Sequence, residues 1–406
     1  MRPMTLDDLS DAALRGKRAL VRVDFNVPLD SGQVADDTRI EATLPTLRRL
    51  LERGAGMVLM SHLGRPKGQW KQDLSLRPVA ARLGELIDAP VRFVADIVGS
   101  DAQDAAASVQ PGSILVLENT RFLPGEEADD RELAEQMAQL GDLYVNDAFG
   151  SAHRAHASTA GVADVMKEQG KPAVAGLLME KEIRYLGQAL ESPDHPFVAI
   201  LGGAKISGKI DVIENLLPRV EALLIGGAMA NTFFRALGLE TADSLVEEDR
   251  LDMAGDLLDR GGDKLVLPVD CVVAANAAED AETRIVARDD VPDGMKILDI
   301  GPDTIDAFRE HVRGAGTVVW NGPMGMFEKA PFRAGTEKLA HAVADATDAG
   351  TTTIIGGGDT AAAVQRAGLA QRMSHVSTGG GASLEFLEGK DLPGVAALST
   401  TEDENG

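Results

Sequence analysis

Short runs of aliphatic and β-branched residues alternate with longer amphipathic stretches through this chain, and that alternation limits the possible folds more than any other feature. The amphipathic stretches include residues 39–53 and 129–140. This order predicts βα units stacked into parallel sheets, and so an α/β fold. The predicted strands are residues 19–23, 57–60, 114–117 and 143–145 in the first half, and 197–201, 222–225, 264–269, 317–320 and 352–355 in the second.

The length of the chain predicts two domains, because 406 residues exceed what one hydrophobic core usually supports. The best candidate for the connection is an amphipathic helix from Gly176 to Leu190. Pro193 and Pro196 follow it, and proline ends a helix. We therefore expect one domain on each side of this helix.

The composition excludes several classes of function. The balance of 40 basic and 64 acidic residues gives 40 − 64 = −24, which argues against nucleic acid and against anionic membrane surfaces as partners. The single cysteine, Cys271, cannot form an internal disulfide, and its apolar neighbours predict a buried strand residue and not a nucleophile. The first residues contain no long apolar segment, and no apolar stretch approaches membrane-spanning length, so we expect a cytoplasmic protein.

Polar residues follow each predicted strand of the first half, where ligands bind in open parallel sheets. Three of these four segments contain an arginine, and Arg39 is a fourth at the start of the next helix. A single arginine is most often a surface ion-pair partner, but several that converge would bind phosphate or carboxylate in an otherwise acidic protein. The segments are residues 24–26, 61–66, 118–122 and 146–156.

Glycine and lysine occupy the same positions in the second half. Two glycine triplets, residues 356–358 and 379–381, each stand between an apolar run and a helical pattern. Either triplet alone is compatible with a tight turn, but the pair favours a phosphate cradle in which backbone N–H groups and a helix N-terminus face the anion. Asp359 follows the first triplet and offers a carboxylate for the Mg²⁺ that accompanies a nucleotide.

One segment of the second half has the spacing of a P-loop. Gly203, Gly208 and Lys209 fit that pattern, but Ile210 stands where serine or threonine should bind Mg²⁺, so a P-loop ATPase is the weaker interpretation. Lys205 and Lys209 would share one face if a helix begins there. Ordinary surface lysines are the alternative, and the glycines before them favour a role facing phosphate.

Five motifs, taken together and in order, resemble the phosphoglycerate kinase family over nearly the whole chain. They are residues 22–28 (RVDFNVP), 61–66 (SHLGRP), 118–122 (ENTRF), 320–323 (WNGP) with Glu328, and 356–360 (GGGDT). The resemblance implies two Rossmann-like three-layer domains with parallel sheets, joined by a helix. It assigns residues 1–175 to phosphoglycerate binding, 176–191 to an interdomain hinge helix, 192–382 to nucleotide binding, and 383–406 to a C-terminal segment packing back on the first domain.

The resemblance also implies the reaction and its residues. The acyl phosphate of 1,3-bisphosphoglycerate would pass reversibly to Mg²⁺-ADP, giving 3-phosphoglycerate and Mg²⁺-ATP. Arg39, Lys205 and Lys209 would be catalytic, and Asp359 would hold the metal. The substrate-binding set would be Asp24, Phe25, Asn26, Arg39, His62, Leu63, Gly64, Arg65, Arg121 and Arg154. The nucleotide-binding set would be Lys205, Lys209, Asn321, Glu328, Gly357, Gly358, Asp359, Thr360, Gly379 and Gly380.

Two positions depart from the family pattern. Gly208 stands where a larger residue, often aspartate, is expected, and Ala228 replaces the third glycine of a triplet. Both bear on nucleotide affinity more than on the type of reaction. Two other classes of protein stay open. A dinucleotide-dependent dehydrogenase would need a glycine-rich turn that residues 23–26 do not offer. A non-catalytic nucleotide-binding scaffold would not need the arginines. We expect a monomer.

Overall fold

The computed structural model describes residues 2–400. Its helices are α1 Asp11–Leu14, α2 Thr38–Glu52, α3 Arg77–Leu86, α4 Ser100–Ala107, α5 Arg131–Ala138, α6 Val162–Glu168, α7 Leu177–Glu191, α8 Ile210–Leu216, α9 Met229–Ala236, α10 Leu251–Gly261, α11 Pro302–Arg313, α12 Ala334–Asp348, α13 Gly358–Arg366, α14 Gly381–Leu387 and α15 Pro393–Ala396. None of the helices in this part of the chain is long and apolar enough to span a membrane.

Its strands are β1 Arg18–Arg22, β2 Leu29–Asp30, β3 Gln33–Val34, β4 Gly56–Met60, β5 Val91–Phe93, β6 Ile114–Val116, β7 Leu143–Asn146, β8 Ala173–Ala175, β9 Phe197–Leu201, β10 Ala222–Ile225, β11 Leu265–Val266, β12 Asp270–Ala274, β13 Arg284–Ala287, β14 Lys296–Ile300, β15 Thr317–Asn321, β16 Thr352–Gly356 and β17 His375–Val376.

The chain divides into two compact units, and the division falls inside α7, between Ile183 and Arg184. The first unit also includes the described residues from Asp391 onward. The helix predicted from Gly176 to Leu190 is confirmed as α7. The C-terminal residues belong to the first unit through backbone contacts, because Met4 N–H donates to Ser399 O (2.8 Å) and Ser399 N–H donates to Ala173 O (2.8 Å).

The first unit is built on a six-stranded parallel sheet of order β5-β6-β4-β1-β7-β8. The central strands are buried because both faces of the sheet are covered, and β4 is apolar along its whole length. Val21 and Leu59, for example, are paired in register and fully buried. The carboxyl ends of β6, β4, β1 and β7 are therefore neighbours at one edge of the sheet.

The second unit contains a second six-stranded parallel sheet, of order β11-β10-β9-β15-β16-β17. A separate antiparallel sheet of order β13-β12-β14 is formed by the residues between β11 and α11. The predicted α/β class with two parallel sheets is confirmed. The structure differs in residues 264–269, where only Leu265–Val266 pair in the parallel sheet: Pro268 lacks the N–H that would continue the ladder, and the chain starts β12 at Asp270.

Candidate active site

The order of the first sheet brings the four predicted polar segments to one edge. Asp24 and Asn26 follow β1, His62 and Gly64 follow β4, and Arg121 follows β6. Hydrogen bonds join these segments: Gly64 N–H donates to Asn26 Oδ1 (2.8 Å), and Arg121 Nη1 donates to Gly64 O (3.0 Å). Asn26, Gly64 and Arg121 therefore form one connected surface at the end of the sheet.

Arg39 joins this surface from the first turn of α2. Its Nη1 donates to Asn26 O (3.1 Å) and forms an ion pair with Asp24 (3.3 Å). Among residues 2–400, Nε and Nη2 of Arg39 have no partner, and its side chain is 36% exposed. A guanidinium held by one terminal nitrogen keeps its other donors for an anion.

His62 lies under this surface, between arginines. Arg22 Nη2 is 3.0 Å from His62 Nδ1, and Arg22 itself is fully buried. Burial lowers the pKa of His62 well below its usual value, and Arg22, Arg121, Arg39 and His156 lower it further. His62 is therefore neutral at physiological pH.

The remaining predicted arginines are placed differently. Arg154 is exposed, and its Nε donates to His153 Nε2 (3.1 Å); its charge also contributes to lowering the pKa of His156 to about 4, a shift caused first by burial and then by Arg121. Arg65 is exposed and makes no hydrogen bond or ion pair within the described part of the chain. The structure thus ties Arg39 and Arg121 into the surface and leaves Arg65 and Arg154 at the solvent.

Phe25 and Leu63 belong to the core. Both side chains are buried in the hydrophobic cluster of the first unit. Their backbone groups are also engaged: Phe25 N–H donates to Ser61 Oγ (2.9 Å), and Leu63 exchanges two hydrogen bonds with the Asn119 amide (3.1 and 2.7 Å). These two residues position the predicted substrate-binding segments and offer no polar side chain of their own.

In the second unit, the turns after β9, β10 and β15 pack backbone against backbone. Gly227 has φ +68°, and a Cβ there would stand 2.5 Å from the backbone of Gly203. A Cβ on Gly202 would stand 2.2 Å from Pro323 O. Only glycine fits at these contacts, so the three turns form one wall without side chains.

Lys209 lies beside this wall. Its Nζ donates to Asn321 Oδ1, and burial lowers its pKa to about 8, against the opposing effects of Glu388 and Asp359. Helix α8 begins at Ile210, after both lysines, so Lys205 and Lys209 do not share a helical face as the spacing allowed. Lys205 is exposed, whereas Lys209 is half-buried.

The two glycine triplets begin helices. Gly357 has φ +81° and precedes α13, whose first residues are Gly358, Asp359 and Thr360; Gly380 has φ +51° and precedes α14. Asp359 is exposed, whereas Thr360 is buried and its Oγ1 accepts a hydrogen bond from Gly322 N–H (2.7 Å). Gly379 N–H donates to Ser377 Oγ (3.0 Å). Both triplets are strand-to-helix turns: Gly358 and Gly381 are exposed, whereas Gly356 and Gly379 are buried.

A cavity of about 690 Å³ opens beside these turns, with Glu328 and Asp359 among the residues that line it. Its apolar wall includes Leu245 and Met326, which are 49% and 40% exposed. A large, partly exposed apolar wall next to carboxylates and glycine turns suits a ligand with a flat apolar part and a polar part.

Cys271 also lines this cavity, on β12. It is buried, as predicted, and burial raises the pKa of its thiol to about 12, so it is not a reactive thiolate at neutral pH.

Asp299 is equally buried and accepts hydrogen bonds from Gly335 N–H (2.7 Å) and Ile300 N–H (2.9 Å), while burial raises its pKa to about 7.

Four buried residues lie under the first surface: Arg22, Glu126, His156 and Ser158. Arg22 and His156 fall within the predicted segments 22–28 and 146–156 but had no assigned role, whereas Glu126 and Ser158 were not predicted. Ser158 Oγ donates to Glu126 Oε1 (2.6 Å) and accepts from Arg22 Nε (2.8 Å). An available signal was Arg22 itself, a charge inside the apolar run 19–23. Glu126 and Ser158 carry no such signal, because only the folded chain brings them to β1.

Comparison with known proteins identifies relatives over almost the whole chain. The family model described as phosphoglycerate kinase matches residues 9–390. The phosphoglycerate kinase of Chloroflexus aurantiacus is 57% identical over 405 residues, covering 98% of this chain and all of that protein; that of Chlorobium limicola is 55% identical over 395 residues, covering 96% and 98%. Among solved structures, phosphoglycerate kinase from Coxiella burnetii has a TM-score of 0.87 at 42% identity, and that from Pyrococcus horikoshii 0.83 at 33%, each covering 97% of this chain and 98% of its own.

Proposed function

The chain belongs to the phosphoglycerate kinase family and is a phosphotransferase of glycolysis, and from that premise we propose which of its residues perform the reaction. The reaction passes the acyl phosphate of 1,3-bisphosphoglycerate to ADP and is reversible. Membership of the family does not by itself assign a role in binding or catalysis to each side chain of this protein.

We propose that the first unit binds the phosphoglycerate. The observation that carries this assignment is the arginine surface at the carboxyl edge of the sheet, where Arg39 and Arg121 are held by the hydrogen bonds of Asn26 and Gly64. These cations belong to a chain of net charge −24, so a cluster of them is a specific feature and not the average surface. Arg65 and Arg154, both exposed, complete the set by reaching the ligand from solvent.

The second unit is proposed to bind the nucleotide. The glycine wall and the two strand-to-helix turns offer backbone N–H groups for phosphates, and Lys205 and Lys209 add positive charge. The apolar wall of the cavity suits the base, and Glu328 suits the ribose hydroxyls. Asn321 holds the Lys209 ammonium by its Oδ1.

Asp359 fits the role of a Mg²⁺ ligand. It is an exposed carboxylate at the start of α13 that lines the cavity, and within the described residues no cluster of three or more His, Cys, Asp or Glu could hold a metal. Mg²⁺ is commonly bound by one or two carboxylates together with substrate phosphates, so a single carboxylate is sufficient. When bound, the ion neutralises phosphate charge.

The proposed mechanism is positioning and charge neutralisation. The phosphoryl group passes through a loose transition state with negative charge spread over its oxygens, which Arg39 and Lys209 would stabilise. An acyl phosphate releases a carboxylate and needs no proton removed, so His62 is proposed to donate a hydrogen bond and not to act as a general base. Its low pKa and neutral state are compatible with that role.

We further propose that the units close about α7 when both ligands are bound. The candidate residues for the two ligands belong to different units, and transfer requires the ligands to meet. Small-angle scattering should give the largest fall in radius of gyration with Mg²⁺-nucleotide and 3-phosphoglycerate together. Ile183→Pro, inside α7, should bind each ligand singly and lose turnover. An unchanged radius in a fully active ternary complex would refute closure.

A coupled assay with ADP, Mg²⁺ and 1,3-bisphosphoglycerate tests the function directly. Production of ATP that depends on all three is expected, and binding of ATP without turnover would favour a nucleotide-binding scaffold instead. We also propose that the protein is a monomer and that it works in the cytoplasm; the second statement is supported by the single buried cysteine, which needs no oxidising compartment. Sedimentation at assay concentrations tests the first statement, and fractionation of the source cells tests the second.

A further inference from the structure

The buried contacts of Arg22 fix the direction of every hydrogen bond around it. A guanidinium carries only donors, so Ser158 Oγ must accept from Arg22 Nε (2.8 Å). The Ser158 hydroxyl proton then goes to Glu126 Oε1 (2.6 Å), which also accepts from Thr120 Oγ1 (3.1 Å). Arg22, Ser158 and Glu126 are all fully buried. The positive charge of Arg22 is thus balanced by Glu126 through one serine.

The same reasoning decides the state of His62. Arg22 Nη2 lies 3.0 Å from His62 Nδ1 and can only donate, so Nδ1 must be an unprotonated acceptor. The proton of the neutral ring is then on Nε2. Among the residues that the structure describes, Nε2 has no hydrogen-bond partner, whereas Nδ1 is occupied.

We propose that Arg22 is a positioning residue, which holds His62 as the neutral Nε2–H tautomer so that this N–H is presented to the phosphoglycerate. Arg22 itself does not touch the ligand, because Val23 O (2.5 Å), Ser158 and His62 occupy its three nitrogens. The part that concerns the ligand rests on the proposed function; the tautomer does not.

The charged groups around His62 act in the same direction. Arg22 on β1, Arg121 after β6 and Arg39 on α2 face it, and each disfavours a second proton on the ring; His156 after β7 also faces it but, with its pKa lowered to about 4, is neutral near pH 7. A ring that donates from Nε2 cannot accept a proton there, so His62 cannot serve as a general base from the side of the ligand. The contribution of His62 to binding, measured as the ratio of affinities of the unmodified chain and His62→Gln, should therefore not change with pH between about 6.5 and 8, because titration of the ligand phosphate affects both chains alike.

The test uses ¹⁵N-histidine NMR on the full chain, in which two-bond ¹H–¹⁵N correlations distinguish the two neutral tautomers and the cation. His62→Gln assigns the signal among the seven histidines. We expect Nε2–H from about pH 6.5 to 8, and a shift of Nε2 but not of Nδ1 when 3-phosphoglycerate is added. An Nδ1–H tautomer or a cationic ring at pH 7 would overturn the proposal, as would a ligand titration that leaves Nε2 unmoved.

Variants test the part played by Arg22. Arg22→Met combined with Glu126→Gln removes both buried charges, so no unpaired charge remains. We expect both tautomers of His62 and a KM for 3-phosphoglycerate raised about tenfold, the order for one oriented hydrogen bond to a charged ligand, with the nucleotide KM unchanged. A retained Nε2–H tautomer in this folded variant would overturn the proposal.

Arg22→Lys is the second variant, and it keeps the charge opposite Glu126 and therefore the fold. Its ammonium also only donates, so the Nε2–H tautomer should persist, and Nδ1–H would contradict the proposal. Arg53→Met is the matched control, because Arg53 is a largely buried arginine of the same unit that bonds Leu6 O and Leu9 O. It should leave the His62 spectrum and the KM unchanged. A Nε2–H ring in a chain without kinase activity would refute the proposed function and leave the tautomer standing.

Discussion

Replacement of Arg39 by alanine should separate catalysis from stability. The side chain is 36% exposed, and its contact with Asp24 is 3.3 Å long and made by Nη1. Partly exposed pairs of this kind contribute about 0.2 to 1 kcal/mol, so Arg39→Ala should barely move the midpoint of urea unfolding. The free Nε and Nη2 donors, in contrast, have no structural use within residues 2–400.

If those donors meet the charge of the transferring phosphoryl group, kcat should fall by about 10² to 10⁴, which corresponds to about 3 to 5 kcal/mol of transition-state stabilisation. Steady-state kinetics in both directions, with urea unfolding on the same samples, measures the two effects. The loss of activity would then exceed any loss of stability several-fold.

Arg82→Ala is the matched control for this experiment. Arg82 lies on a helix of the same unit, is 37% exposed, and forms shorter ion pairs with Asp37 (2.5 Å) and Glu85 (2.6 Å). It should lower stability at least as much as Arg39→Ala and leave kcat unchanged. An Arg39→Ala enzyme with normal kcat and only a raised KM for 3-phosphoglycerate would mean that Arg39 binds the substrate and does not assist transfer.

Three further outcomes are expected. Asp359→Asn should weaken Mg²⁺-nucleotide binding in calorimetric titrations and leave 3-phosphoglycerate binding nearly intact; equal damage to both would contradict the division between units. The pKa of Lys209, lowered to about 8, should appear as a loss of kcat/KM for nucleotide as pH rises through 8, and Lys209→Arg should move that loss to higher pH because guanidinium stays charged. Gly227→Ala should destabilise the second unit by about 2 kcal/mol or more in thermal unfolding, whereas Gly208→Ala, where a Cβ meets nothing within 4 Å, should be neutral or stabilise by about 0.4 to 1 kcal/mol.

Much of the fold follows from local apolar runs, and most of what was missed is short, although the five-residue strand β14 was missed as well. Strands β9 and β10 occupy the predicted residues, 197–201 and 222–225. Four or five consecutive apolar residues are typical of a strand in a parallel sheet, because both faces of such a sheet are buried. Strands β5, β8 and β17 were not predicted, since two or three residues become a strand only when a neighbour pairs with them. Strand β13 was also missed, because its apolar run is only three residues long and the strand is largely exposed.

The candidate site was predictable as far as sheet topology determines it. Residues after parallel strands meet at one edge, and this rule predicts from the sequence that Asp24, His62 and Arg121 lie at the same edge. The rule does not predict how deeply each of these side chains is buried. Whether Phe25 points into the core, or whether a glutamate more than a hundred residues from Arg22 balances its charge, depends on packing that no local pattern encodes. The individual binding roles stay predictions.

The joining of both chain ends in the first unit has a consequence for how this protein is made. Backbone bonds tie Met4 to Ser399 and Ser399 to Ala173, and Asn146 Nδ2 donates to Gly394 O (3.0 Å). The ribosome synthesises residues 391–400 after the whole second unit, so the unit that begins first is completed last. During translation Met4 is available to pair with Ala175 of β8, but Ala173 and Asn146 wait for their C-terminal partners for more than two hundred residues. Nascent chains of this protein should therefore depend on chaperone protection longer than the order of their domains suggests.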